Sequence, residues 1–111
     1  MSAASINPVA VTATTSLTEI ANTAVASGEE WSIDVRATNI AGVNGTYKLA
    51  IGLTGNPGSA KYRVFNYAVK KDAAVDIERQ LTLTSGWALF HSANANSTVD
   101  VTVTGRKRST S

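Results

Sequence analysis

Strict alternation of apolar and polar residues is the feature that most limits what this chain can become. The segment EWSIDVRAT sets Trp31, Ile33, Val35 and Ala37 on one phase and Ser32, Asp34, Arg36 and Thr38 on the other. TYKLAIGL repeats the pattern with Tyr47, Leu49, Ile51 and Leu53, and TVDVTVTG with Val99, Val101 and Val103. A period of two is the repeat of a β-strand, and a single apolar phase means one buried face, as in an antiparallel sheet whose other face is wet. β-Branched residues are spread evenly and no sustained helical period occurs, which favours strands throughout.

Turn signals punctuate these runs: Ser27 and Gly28, Ala41 through Gly45, Gly55-Asn56-Pro57-Gly58, Ser85 and Gly86, and Asn94 through Asn96. Each supplies a residue that tolerates positive φ or presets a turn, and Asn44-Gly45 is in addition a hairpin signal. About eight strands are expected, near 8–13, 17–25, 30–39, 46–54, 60–70, 73–83, 86–93 and 98–104. Short strands at this spacing imply an all-β chain, an antiparallel β-sandwich or jelly roll of about eight short strands, with a closed barrel as the alternative. The segment KKDAAVDIERQ could form a helical turn or two, but Val75, Ile77, Leu81 and Leu83 alternate as in a strand. Arg79 falls on their apolar phase, so it is expected at a strand break, snorkelling at an edge, or paired with a carboxylate.

With 111 residues and no cysteine, the chain is expected to be one domain, 1–111, that folds without disulfides or thiolate metal sites. Residues 1–7 and 105–111 are small and polar and read as flexible arms. The opening MSAASINP lacks a charged n-region and a long apolar h-region, so no signal peptide is expected and synthesis is expected in the cytosol. Ten basic and eight acidic residues give +2, but three basic ones are Arg106, Lys107 and Arg108; without them the balance is seven against eight, or −1. A near-neutral body with a short basic end is not the footprint of a strongly basic nucleic-acid binder.

One strand breaks the pattern. AKYRVFNYAVKK is apolar on both phases, with Tyr62, Val64 and Ala68 on one and Phe65, Tyr67 and Val69 on the other. GWALF (residues 86–90) shares the trait. A strand of this kind is covered on both sides, the second cover being a loop, the N-terminal arm lying over a central strand, or another chain. Tyr62, Phe65, Tyr67 and Trp87 are therefore the candidate interface residues, and Arg106, Lys107 and Arg108 a candidate basic contact.

Catalytic constellations are not assembled in the sequence. His91 is the one histidine, on the phase of Trp87 and Leu89, and reads as a structural or edge residue; no Gly-x-Ser-x-Gly elbow accompanies it. Glu29-Glu30 and the Asp76/Glu78 pair are too few for a metal site, and the latter fit a solvated strand face. GNPGSAK (residues 55–61) lacks the Gly-Lys-Ser/Thr step of a phosphate loop and reads as a hairpin turn. Neither an enzyme nor a cofactor is expected. Lys61, Arg63, Phe65, Tyr67 and Lys71 share one phase and could hold single-stranded nucleic acid, but the chain carries no RNP-like consensus. A glycan reader built on Trp31, Trp87 or the tyrosines is the other binding-module reading.

From about residue 16 to 105 the order of features resembles the small β-sandwich virion proteins of tailed bacteriophages, head-decoration (cement) or tail-associated. The motifs are ASGEEWSIDVRATNIAG, a turn into a strand ending at Asn and a Gly-containing turn, and LTLTSGWALFHSANANSTVDVTVTG, a Leu-x-Leu-x-x-Gly step followed by a Val/Thr-rich strand. Ala26-Ser27-Gly28 stands where that family often has Pro-Ala-Gly. The resemblance implies a structural protein of the virion, assembled in the host cytoplasm, with no catalytic residues. Its implied partners are copies of itself and a larger scaffold such as the major capsid protein; a tail, collar or fibre-base adaptor is the alternative. On that reading Phe65→Asp is expected to lose the contact and Lys48→Asp to keep it.

Overall fold

The structure, a computed structural model, describes residues 3–110. It has nine strands: β1 (Ala3–Ser5), β2 (Val9–Thr12), β3 (Thr18–Glu19), β4 (Glu29–Asn39), β5 (Gly45–Leu53), β6 (Lys61–Val69), β7 (Ala74–Thr84), β8 (Trp87–Ala93) and β9 (Val99–Ser109). A single 3₁₀ turn, Pro57–Ser59, is the one helical element among the described residues. All pairings are antiparallel.

The strands divide into two packed sheets, ordered β2-β9-β4-β7, with β1 beside β2 on the same edge of β9, and β3-β8-β5-β6. Such an order arises when one long antiparallel ribbon is rolled up. The ribbon pairs β2 with β9, β3 with β8, β4 with β7 and β5 with β6, and rolling adds the contacts β4·β9 and β5·β8. This is a jelly roll, in which nearly every connection passes from one sheet to the other. The single within-sheet hairpin joins β5 to β6 through the turn at Pro57–Ser59, where GNPGSAK reads as a hairpin.

Asn44-Gly45 is not a hairpin, because β4 and β5 lie in different sheets. Gly45 is needed there for its missing side chain: a Cβ would fall 2.9 Å from Thr98 Cγ2. The expected strand 17–25 shrinks to Thr18–Glu19, since Asn22 takes a left-handed φ of 63°. The segment still follows β8 through Ile20 N–H to Leu89 O (2.8 Å) and Val25 N–H to Trp87 O (2.9 Å).

The core lies between the sheets and is built from the apolar phases: Ile33, Val35 and Ala37 of β4, Tyr47 and Leu49 of β5, Leu81 and Leu83 of β7, Leu89 of β8, and Val99, Val101 and Val103 of β9. A second, smaller cluster sits on the opposite face of β8 and β5, where Phe90, Ala50 and Ala88 are covered by Leu17 and Ala60. The GWALF strand is therefore the doubly buried one. Gly52 admits that cover, since a Cβ there would come within 3.0 Å of Ala60 Cα and Phe90 Cε1.

The expected terminal arms are paired strand within the described residues, whereas Met1, Ser2 and Ser111 lie outside them. β9 runs on to Ser109, with Ala3–Ser5 against residues 106–108 on one side and Glu29–Ser32 against residues 106–109 on the other. Charges meet in register along this stretch. Arg108 lies opposite Glu30 and bonds its carboxylate at 2.6 Å, and Lys107 Nζ is 4.0 Å from Glu29. Gly105 makes the passage possible, because a Cβ there would collide with the Ser32 carbonyl and lie 2.8 Å from Ile33 Cα.

Candidate interaction surface

β6 sits at the open edge of its sheet, not at the centre, and the N-terminal segment pairs in the other sheet. The expectation of a central strand covered by that segment is thus overturned. Of its nine residues Val69 alone is buried, and Tyr62 (47% exposed), Phe65 (59%) and Tyr67 (42%) all face solvent.

Two irregularities decide which aromatics share a face. Between Tyr47↔Tyr67 and Leu49↔Val64, β6 spends three residues against two of β5; between Leu49↔Val64 and Ala50↔Tyr62 it spends two against one. Asn66, at φ 54°, absorbs the first bulge. Directly opposed residues point to one side of a sheet. Tyr67, opposite the buried Tyr47, therefore stands on the inner rim of the sandwich. Tyr62, opposite Ala50, stands on the outer face. Phe65 joins Tyr62 there in an edge-to-face contact, ring centres 5.0 Å apart and planes at 83°. Lys48 projects its ammonium over the Phe65 ring, 4.5 Å from the centroid.

The four aromatics singled out by sequence thus separate. Tyr62 and Phe65 form one exposed pair, Tyr67 lies on the rim, and Trp87 on β8 packs half-buried against the core. Lys48, expected to be neutral to the contact, belongs to it. Its polar phase on β5 hid the fact that the β6 bulge would carry Phe65 to its side.

The neighbouring edge of the other sheet is built alike. β7 is also bulged twice against β4, with Gln80 at φ 54° and its N–H donating to Asp34 Oδ1 at 2.8 Å. Arg79 sits in that irregularity, 3.8 Å from Asp76, which meets two of the three expectations for it. Arg63, the extra residue of the second β6 bulge, reaches across to Glu78 at 3.2 Å and ties the two edges together. Bulged, twisted and ion-paired edges do not offer a regular ladder to an incoming strand. What β6 offers a partner is its outer face.

Of the basic residues near the C-terminus, Lys107 and Arg108 are engaged with Glu29 and Glu30, and Arg106 is exposed without a carboxylate partner among the described residues. A cleft of about 280 Å³ lies beside this strand, lined by Ile6, Asn7, Pro8, Val9, Asn22, Trp31 and Lys107. It brings together no nucleophile with a base and no pair of carboxylates. Trp31 is buried, its indole N–H donating to Glu29 Oε1 at 3.1 Å.

His91 is buried on the inner face of β8, its Nδ1 2.8 Å from the Tyr47 hydroxyl with the rings edge to face. Burial pushes the histidine down to about 4 and raises the tyrosine, so both stay neutral at pH 7. The tautomer of the ring sets which of the two neutral partners donates, and in either direction the pair is a satisfied core contact. Among the described residues no group of three or more His, Asp or Glu is placed to hold a metal ion, and no helix is long and apolar enough to cross a membrane.

The chain matches no protein-family model, no curated protein and no solved structure. The likeness to phage virion proteins rests on the sequence motifs alone.

Proposed function

We propose that this chain is a non-enzymatic structural protein of a bacteriophage virion, most simply a head-decoration protein that works by burying surface against a larger scaffold. The observation that carries this reading is the Tyr62–Phe65 pair, two large aromatics held against each other on a sheet face and left 47% and 59% exposed. Exposed aromatic surface of this kind marks contact sites. The jelly roll supports the reading by analogy of fold, since capsid proteins use this architecture and so do lectins. A tail, collar or fibre-base position would use the same contact chemistry and is separated by immunogold labelling of particles.

The test is incorporation into purified particles. Phe65→Asp should abolish incorporation. Thr102→Asp, on the outer face of the other sheet, should retain it. Lys48→Asp is no longer a neutral control, because Lys48 stands on Phe65. Equal incorporation of the two variants, or particles that never contain the chain, would overturn the proposal.

A further inference from the structure

The charges around the aromatic pair say what kind of surface it meets. Residues 45–71 carry five cations (Lys48, Lys61, Arg63, Lys70 and Lys71) and no carboxylate. Of these only Arg63 has a carboxylate partner among the described residues, Glu78. Elsewhere Arg36 and Arg79 are held by Asp76, Lys107 by Glu29 and Arg108 by Glu30. Of the unpaired cations, then, all but Arg106 belong to β5, β6 and the turn that follows. The acids near the hairpin are Glu78, on Arg63; Glu19, which accepts from Gly55 N–H at 2.7 Å; and Asp72 in the turn.

We propose that the outer face of β5 and β6 docks on an acidic surface of a different protein, one with carboxylates bordering an apolar depression that takes Tyr62 and Phe65. This rests on the assembly reading above and names the chemistry of its partner. A second copy of the chain does not fit. A two-fold contact through this face sets Lys48 against its own equivalent and brings together two hairpins that carry cations alone; Lys61, opposite Ile51, flanks the face on the inner rim of the edge strand. A head-to-tail contact needs an acidic patch, and the carboxylates without a cation partner among the described residues are dispersed, Glu19 on β3, Asp34 on β4, Asp72 in the turn after β6 and Asp100 on β9. Glu29, Glu30, Asp76 and Glu78 are ion-paired, Asp34 accepts from Gln80 N–H, Asp100 from the Thr12 hydroxyl, and Glu19 from Gly55.

Single-stranded nucleic acid, the other polyanion, fits less well. Base stacking needs open ring faces in succession. Here the rings stand at 83° and Lys48 occupies a face of Phe65. A carboxylate, by contrast, can meet the Lys48 ammonium without displacing it from the ring.

The full chain, isotope-labelled for NMR, should be titrated with a blocked glutamate decapeptide and with a thymidine decanucleotide at low salt. Saturable shifts with the peptide are expected at Lys48, Tyr62 and Phe65, weakened at least tenfold when the charge of the hairpin is reversed in the Lys48→Glu/Lys61→Glu variant and unchanged in Thr102→Glu. The same spectra report whether each variant is folded. The proposal is overturned if peptide shifts centre on residues 106–108, if no saturable binding occurs, or if the oligonucleotide binds more tightly and Phe65→Ala removes that preference. Particles that contain the chain but take up Lys48→Glu/Lys61→Glu at the wild-type level would also overturn it, and leave the assembly reading standing. Particles without the chain would overturn that reading, and the peptide titration would still decide the chemistry of the surface.

Discussion

His91 makes the stability of this fold depend on pH. It is the sole histidine, buried on the inner face of β8 against Tyr47. Burial lowers it to about 4, against about 6.5 in the unfolded chain. Between these values the unfolded chain binds a proton that the folded chain refuses, so acid favours unfolding. The full contribution is present above about pH 6.5. Below that it falls by roughly 1.4 kcal/mol per pH unit and levels off near pH 4, for a total of about 3 kcal/mol. From pH 7 to pH 5 the loss is about 2 kcal/mol, because the histidine of the unfolded chain is nearly all charged by then and that of the folded chain nearly all neutral. For a chain of this length, that corresponds to a fall in Tm of roughly 8 °C.

Urea melts of wild type and His91→Gln at half-unit steps from pH 8 to pH 5 measure this directly. Glutamine offers the Tyr47 hydroxyl both a donor and an acceptor and cannot titrate, so this slope should disappear whatever the variant costs at pH 8. The difference between the two slopes, not either absolute stability, is the readout. A wild-type profile flat between pH 7 and pH 5, or a His91→Gln profile as steep as wild type, would refute the reasoning.

Three other perturbations probe separate parts of the fold. Gly105→Ala puts a methyl into the Ser32 carbonyl, so β9 must detach from β4 near the C-terminus; a loss of about 2 kcal/mol or more in a denaturant melt is expected, in the range of overpacked sites. Phe90→Ala empties the cluster under Leu17 and Ala60 and should cost about 3–5 kcal/mol by the same assay. A double-mutant cycle on Glu30→Ala and Arg108→Ala should give a coupling of no more than about 1 kcal/mol, reduced at 1 M salt, since the arginine is largely exposed.

Most of the strand inventory is legible in the sequence because the main sheets bury one face each, and alternation records that burial residue by residue. Trp31 to Ala37 and Val99 to Val103 show it directly. What alternation does not record is which strands neighbour one another. Asn44-Gly45 reads as a hairpin locally, and the roll of the ribbon turns it into a passage between sheets. The extension of the last strand beyond residue 104 is missed for a different reason: Arg106, Lys107 and Arg108 carry no apolar signal, and the carboxylates that meet Lys107 and Arg108 lie some eighty positions away at Glu29 and Glu30. Bulges hide the interaction face. A bulge moves every later side chain to the other side of the sheet, so the phase of Phe65 counted from Lys61 does not say which face it occupies.

The same two-phase apolar pattern therefore has two outcomes in one chain, and strand position separates them. β8 is central, flanked by β3 and β5, and its second face is sealed by a loop residue, Leu17, and the hairpin residue Ala60. β6 is the edge strand beyond β5, past the reach of that cover, and its aromatics stay in water. An uncovered Tyr–Phe pair on an edge is an aggregation hazard unless something keeps copies apart. The double bulge and the Arg63–Glu78 bridge protect the backbone edge, and Lys48 on the face, with Lys61 on the rim beside it, sets like charges against a second copy arriving by the same route. The arrangement repels its own kind while leaving the aromatic pair open to a surface of opposite charge. Reversing Lys48 and Lys61 to glutamate thus has a second expected outcome: the variant should self-associate more readily than wild type at low salt, by light scattering after gel filtration. If the variant and wild type remain equally monomeric up to millimolar concentration, the lysines do not guard the face and this account of its solubility fails.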